Sequence, residues 1–271
     1  MESKIIHGDC MEELKKLPDS SIDCIVTDPP FFMPANHYQS RINWQKKYSD
    51  LTPLRVFWEE VTKELSRVLK KDGHIFVFSN CDSYPVFYEA MYGYFDKLKS
   101  IVWDKTRVGL GRIFRNQHEL IIWGRWKEHK VIKDGKLRAD VLSHPATLTK
   151  NREHPVEKPT ALLKDLILAT TNPNDVVLDC FAGGGSTMVA CIESGRRYIM
   201  MEKELSYIQT IRERAKTQTL PVGNSANAEA INKDLTATQQ VASPKSAEQT
   251  SLNPNIRRNL SFMLQEGFNT K

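Results

Sequence analysis

The chain has 271 residues, of which 40% are hydrophobic and 26% charged, with a formal net charge of +5; this is the balance of a globular protein with one sizeable core, not of a disordered or fibrous chain. The opening Met1-Glu2-Ser3-Lys4 leads into no apolar leader, and no stretch approaches the ~18 apolar residues of a membrane span, which argues against secretion and membrane insertion. Five cysteines (Cys10, Cys24, Cys81, Cys180, Cys191) are scattered without a C-x-x-C pair and read as reduced thiols of a cytoplasmic protein.

In chain order, Lys4–His7 reads as a short strand, Cys10–Leu17 as a short helix and Ser21–Thr27 as a buried strand. That strand runs into Asp28-Pro29-Pro30-Phe31. Two successive prolines lack N–H donors and fix their own φ, so the ladder must stop there in a stiff corner carrying a carboxylate and a ring. From Leu54 the apolar positions Phe57, Val61, Leu65, Val68 and Leu69 step by three and four, one face of a helix, with Gly73 as its expected stop. His74–Ser79 is then a strand, Ser83–Tyr92 a helix, and Leu98–Asp104 and Glu119–Gly124 strands. Thr160–Thr171 is a helix opened by Pro159. Asp175–Phe181 is the most strand-like run, followed by a glycine loop, the helix Thr187–Ser194, the strand Arg197–Glu202 and the helix Leu205–Lys216. Strands alternating with helices predict an α/β fold with a mostly parallel sheet covered on both faces.

Three segments fall outside this alternation. Phe32–Asp50 is polar and aromatic and reads as a long loop over the corner. Trp126–Asn151 is a basic insertion with weak periodicity. From residue 218 to 271 the chain turns polar and reads as a disordered tail, with a short amphipathic helix at Ile256–Phe268. Charge is unevenly spread: Lys97–Arg152 holds 14 Lys and Arg against 5 Asp and Glu, so this stretch carries all the positive excess. Together with Trp103, Phe114, Trp123 and Trp126, it has the composition of a nucleic-acid contact, although a solvated charged face has it too.

The run Val176-Val177-Leu178-Asp179-Cys180-Phe181-Ala182-Gly183-Gly184-Gly185-Ser186-Thr187 is a buried strand emptying into three glycines and a helix. Such a loop lets a ligand approach bare backbone beside a helix N-terminus, and a tight turn would use the same residues. Glu202, closing the next strand about 20 residues on, stands where nucleotide-binding folds place an acid on ribose hydroxyls. A dinucleotide fingerprint would need glycine at Met188, and no G-K-[ST] follows, so the loop suits a nucleoside without phosphates.

The glycine loop together with Asp28-Pro29-Pro30-Phe31 resembles the amino-group DNA methyltransferases, which act on the exocyclic amine of adenine or cytosine with S-adenosylmethionine. The corner precedes the loop by about 150 residues, an order similar to the family's β group, in which the target-recognition segment lies between the two. Further stretches resemble the family: His7-Gly8-Asp9-Cys10, Trp103-x-Lys105 with Gly109-x-Gly111, Arg115 and His118-Glu119, and His154-Pro155-x-Glu157-Lys158-Pro159. The resemblance implies a Rossmann-like, seven-stranded methyltransferase sheet over residues 1–217, with a target-recognition insertion at about 125–153.

It also implies roles. Asp28, Pro29, Pro30 and Phe31 would be catalytic, with Asp28 and the Pro29 carbonyl accepting the two N–H groups of the target amine and Phe31 stacking on a flipped base. Asp9, Cys10, Asp28, Lys158, Asp179, Phe181, Ala182, Gly183, Gly185, Ser186, Thr187, Glu202 and Lys203 would hold S-adenosylmethionine. Lys105, Arg107, Arg112, Arg115, Arg125, Lys127 and Lys130 would face double-stranded DNA, and no metal is expected. Asp at the first corner position accompanies adenine in the family, whereas Ser is more frequent for cytosine. A homodimer and a cognate restriction endonuclease are compatible with this reading. A nicotinamide-dependent oxidoreductase would explain only the loop and Glu202, and a non-catalytic DNA-binding module only the basic stretch.

Overall fold

The computed structural model describes residues 1–32, 51–109, 113–126, 132–146 and 157–218, all within the first of two units, Met1–Thr236. Most of the expected loop at Phe32–Asp50, the tail and its helix at 256–268 lie outside the described residues. Strands β1 (Lys4–His7), β2 (Ile22–Thr27), β3 (Leu69–Ser79), β4 (Lys97–Asp104), β5 (His118–Arg125), β6 (Val141–Ser143), β7 (Val176–Asp179) and β8 (Arg197–Glu202) form one sheet. Its order is β1-β8-β7-β2-β3-β5-β4-β6. β5 runs antiparallel to both its neighbours, and every other pairing is parallel.

Helices α1 (Cys10–Leu14), α2 (Leu51–Val68), α3 (Tyr84–Tyr92), α4 (Thr160–Thr170), α5 (Ser186–Ser194) and α6 (Leu205–Thr217) cover the sheet. Side chains alternate across each strand, so neighbouring residues feed different cores. Val26, Phe76, Phe78, Val177 and Met200 pack with Leu163, Leu166, Met188, Ile192 and Ile211 of α4, α5 and α6. Ile25, Ile75, Val77, Leu178 and Met201 pack on the other face with Leu14, Trp58, Val61, Leu65 and Phe87 of α1, α2 and α3. This is why the central strands read as unbroken apolar runs. No helix among the described residues is long and apolar enough to cross a membrane.

The seven expected strands are present, with an eighth. Val141–Ser143 pairs with β4 through Val102↔Val141 and Trp103↔Leu142. Three residues are too few to show a period, so in sequence this strand is indistinguishable from the basic insertion around it. Part of that insertion docks on the domain, where Arg138 bridges Asp134 at 2.5 Å and Asp165 at 2.8 Å. Gly73 does not stop a helix: α2 ends at Val68 and Gly73 lies inside β3. The β2–β3 register shifts there, from Ile22↔Leu69 to Cys24↔His74. A Cβ at Gly73 would stand 2.9 Å from the Asp23 carbonyl oxygen, so the glycine serves a close backbone approach.

Topology places the site. From β2 the chain continues to β3 on one side, and from β7 to β8 on the other, so a crevice opens at the carboxyl ends of the adjacent β2 and β7. Antiparallel β5 begins at that same edge, because Leu120 pairs with Ser79 and His118 with Asp104.

Candidate active site

The Asp28-Pro29-Pro30-Phe31 corner leaves the end of β2 and is pinned to the end of β3. The Phe32 N–H donates to Ser83 Oγ at 2.7 Å, and Asn80 Nδ2 donates to the Phe32 carbonyl at 2.7 Å. Asn80 Oδ1 in turn accepts the Ser83 N–H at 2.8 Å. The corner therefore has its stiffness from two prolines and from hydrogen bonds to a neighbouring strand.

Asp28 stands in a chain of alternating charges. Lys158, immediately before Pro159 and α4, is 7% exposed and donates to Asp28 Oδ2 at 2.5 Å. The same ammonium lies 3.4 Å from Glu119 Oε2, and Lys105 donates to Glu119 Oε1 at 2.6 Å. The other oxygen of Asp28, Oδ1, is buried and has no hydrogen-bond partner among the described residues. A buried acceptor left open is costly in a folded protein and marks a place for a ligand donor. Burial pushes the Asp28 carboxyl up, and the attraction of Lys158 offsets only part of this. Burial also acts to raise Glu119, but Lys158 and Lys105 outweigh it and hold that carboxyl below its usual range. The two carboxylates likewise overcome the burial of Lys158 and keep its ammonium charged.

The glycine loop is fastened on both sides. At the end of β7, Asp179 Oδ1 accepts from the Thr27 hydroxyl at 2.9 Å and the Phe181 N–H at 3.1 Å, and Oδ2 accepts from Thr187 at 2.6 Å. Burial pushes this carboxyl up to about 6. Gly185 precedes α5 with φ +83°, a left-handed conformation that favours glycine, and Gly183 has φ +50°. Glu202 Oε2 accepts the Gly183 N–H at 2.8 Å while Oε1 accepts the Glu204 N–H at 2.9 Å. Glu202 thus also anchors the loop, a function its spacing did not reveal. At the end of β1, Asp9 Oδ1 accepts the Met11 N–H at 3.0 Å, capping α1, and Oδ2 accepts from Lys203 at 2.8 Å. Burial pushes the neighbouring Cys10 thiol up to about 12, which keeps it neutral.

These elements enclose one cavity of about 380 Å³, within the range of small-molecule sites. It is lined by Asp28, Pro29, Pro30 and Phe31 and by every expected cofactor residue except Gly185, which instead sets the turn into α5. The lining also includes Gly8, Phe57, Phe78, Glu157, Gly184, Glu204 and Tyr207. Gly8 and Glu157 sit inside the quoted motifs. Phe57 and Tyr207 carry no signal of their own, because each lies on an amphipathic helix. The Phe57 ring meets that of Phe181 edge to face at 6.1 Å. Both lining lysines, Lys158 and Lys203, are already paired with carboxylates. The wall thus fits a nucleoside-bearing cofactor without phosphates better than a dinucleotide.

The described basic residues differ in their surroundings. Lys105 is engaged with Glu119 at the site's edge. Arg107 and Arg115 are exposed, with Arg115 Nε donating to the Gly109 carbonyl at 2.7 Å. Arg125 is half-buried, 5.7 Å from the Trp123 ring. Arg112, Lys127 and Lys130 lie outside the described residues. Of the four aromatics, Trp103 is core at 2% exposure and Phe114 is 95% exposed. Trp123 stacks on His74 at 5.8 Å, and Trp126 packs on Phe95 at 5.3 Å. Strands β4 and β5 need apolar residues for their own packing, which composition alone does not distinguish from a binding surface.

A family model described as DNA methylase, of the N6/N4 methyltransferase type, matches residues 22–213. The chain belongs to this family. The DNA methylase is 32% identical over 244 residues to M.HinfI, a type II methyltransferase of Haemophilus influenzae, covering 78% of this chain and 68% of that one. It is 29% identical over 240 residues to YhdJ, a DNA adenine methyltransferase of Escherichia coli (strain K12), covering 76% and 80% respectively. Its fold is similar to that of M1.HpyAVI in complex with SAM, with a TM-score of 0.61 at 24% identity over 78% of this chain and 98% of that one.

Proposed function

We propose that this DNA methylase transfers a methyl group from S-adenosylmethionine to the exocyclic amine of adenine in double-stranded DNA. The observation that carries the reading is the open, buried Oδ1 of Asp28, in one cavity with the glycine loop and Glu202. Asp at the head of the corner, and a relative named as an adenine methyltransferase, favour adenine over cytosine.

An adenine amine is a weak nucleophile because its lone pair is delocalised into the ring. Asp28 Oδ1 and the Pro29 carbonyl each accept one N–H, which draws the nitrogen towards a tetrahedral geometry and frees its lone pair. S-adenosylmethionine, when bound, supplies an electrophilic methyl on a sulfonium. Lys158 on Oδ2 favours the ionised form of Asp28 against its burial, and Phe31 offers its ring to the base rotated out of the duplex. Catalysis is then by orientation and electrostatics in a partly dry site, with no covalent enzyme intermediate. Glu202 and the Gly183–Gly184 backbone would hold the nucleoside end of the cofactor, and Arg107 and Arg115 meet phosphates.

Incubation with unmethylated DNA and methyl-labelled S-adenosylmethionine, followed by digestion to nucleosides, tests this directly. Label in N6-methyladenine is expected. Label in N4-methylcytosine would move the assignment to the other base, and no label would overturn it. For Glu202→Ala, cofactor affinity by calorimetry is expected to fall roughly tenfold or more, as for a lost charge-assisted hydrogen bond. The melting temperature should fall as well, because the same change releases the glycine loop. Unchanged affinity would refute the ribose role.

A further inference from the structure

Methyl transfer needs one oxygen of Asp28 to stay open, and the charges around it hold that asymmetry in place. An ammonium has three donors, and a lone lysine against a carboxylate is free to bridge both oxygens. Here Lys158 reaches only Oδ2, while on its other side it faces Glu119 Oε2 at 3.4 Å. Glu119 is itself fixed by Lys105 at 2.6 Å, and the Lys105 backbone N–H is held by the Gln117 carbonyl at 2.9 Å. We propose that Glu119 is a positioning residue for methyl transfer: its carboxylate draws the Lys158 ammonium onto one oxygen of Asp28, keeping Oδ1 available to the target amine.

This rests on the role of Asp28 given above. Glu119 lies at the start of β5, outside the residues lining the cavity, and acts through Lys158. The groups facing Asp28 are Lys158 before α4, Glu119 on β5, Lys105 after β4 and Asp179 at the end of β7. Without the Glu119 charge, Lys158 turns fully to Asp28 and occupies both oxygens. At the same time the Glu119 charge no longer pushes Asp28 up, and with Asp179 unchanged Asp28 ionises at lower pH. The rate at its plateau and the pH of its acid limb therefore move independently of protein folding.

The test is single-turnover transfer of labelled methyl to unmethylated genomic DNA across the pH range, with cofactor affinity measured by calorimetry. For Glu119→Gln the plateau rate should fall roughly tenfold, cofactor affinity should stay within about twofold, and the acid limb should shift to lower pH. A partly unfolded population lowers the plateau but leaves the limb in place, so a lowered plateau with an unmoved limb overturns the proposal. A wild-type plateau does so too. If Glu119→Gln does not fold, Glu119→Asp decides, since it keeps the charge but withdraws it by one methylene. It should retain the wild-type limb and cofactor affinity with a plateau about threefold lower; an unchanged plateau overturns the proposal. If the wild-type protein methylates no DNA, the proposed function itself fails, and the positioning role with it.

Discussion

Asp28→Ala is expected to retain S-adenosylmethionine binding and transfer almost no methyl. In the proposed mechanism Oδ1 is one of two acceptors for the amine, and loss of a preorganised partner of that kind costs roughly 10²–10³-fold in rate. The fold should survive, because Lys158 keeps Glu119 as a neighbour at 3.4 Å and the corner is held by Ser83 and Asn80. Single-turnover transfer against calorimetric cofactor affinity measures both arms. Asp28→Asn removes the charge but keeps an amide oxygen, so its rate should lie between the two. Near-normal transfer by the alanine variant would exclude Asp28 as the acceptor.

Lys158→Met should damage stability and catalysis together, with opposite responses to pH. The substitution strands Asp28, whose side chain is 18% exposed, and leaves Glu119 with Lys105 alone. Removing one member of such a pair typically costs about 3 kcal/mol. Burial already holds the Asp28 carboxyl up, and without Lys158 it rises further. A carboxyl raised in the folded state costs stability as pH climbs from its unfolded to its folded value, and the loss is complete above the latter, so the variant's melting temperature should drop furthest behind wild type at alkaline pH. Methyl transfer should behave the other way. It should be weakest at the acid end, where Asp28 holds its proton, and recover in part as pH rises. A melting deficit that is the same at every pH would show that the lysine is not the counter-ion.

Much of the site was legible because it follows strand ends. Asp28 after β2, the glycines after β7 and Glu202 at the end of β8 are each flagged by a buried apolar run that stops abruptly, and parallel strands bring such ends together. Gly73 misled because glycine has two uses, ending helices and admitting a close backbone, and only the Asp23 carbonyl at 2.9 Å tells which applies. Trp103 is core at 2% exposure, and a sheet buried on both faces draws on the same aromatics as a nucleic-acid surface, so composition alone does not separate the two uses.

The sequence by itself determined the alternating α/β order, the stiff corner and the resemblance that pairs it with the glycine loop, because each rests on neighbours a few residues apart. Only the tertiary structure decided how Asp28 is left with one open oxygen. That depends on Lys158, 130 positions away in the chain, and on Glu119, which reaches the same edge because β5 runs against the rest of the sheet. A strand's direction and the charges it carries to one edge arise from pairing between distant segments, and the strand's own period is the same in either direction.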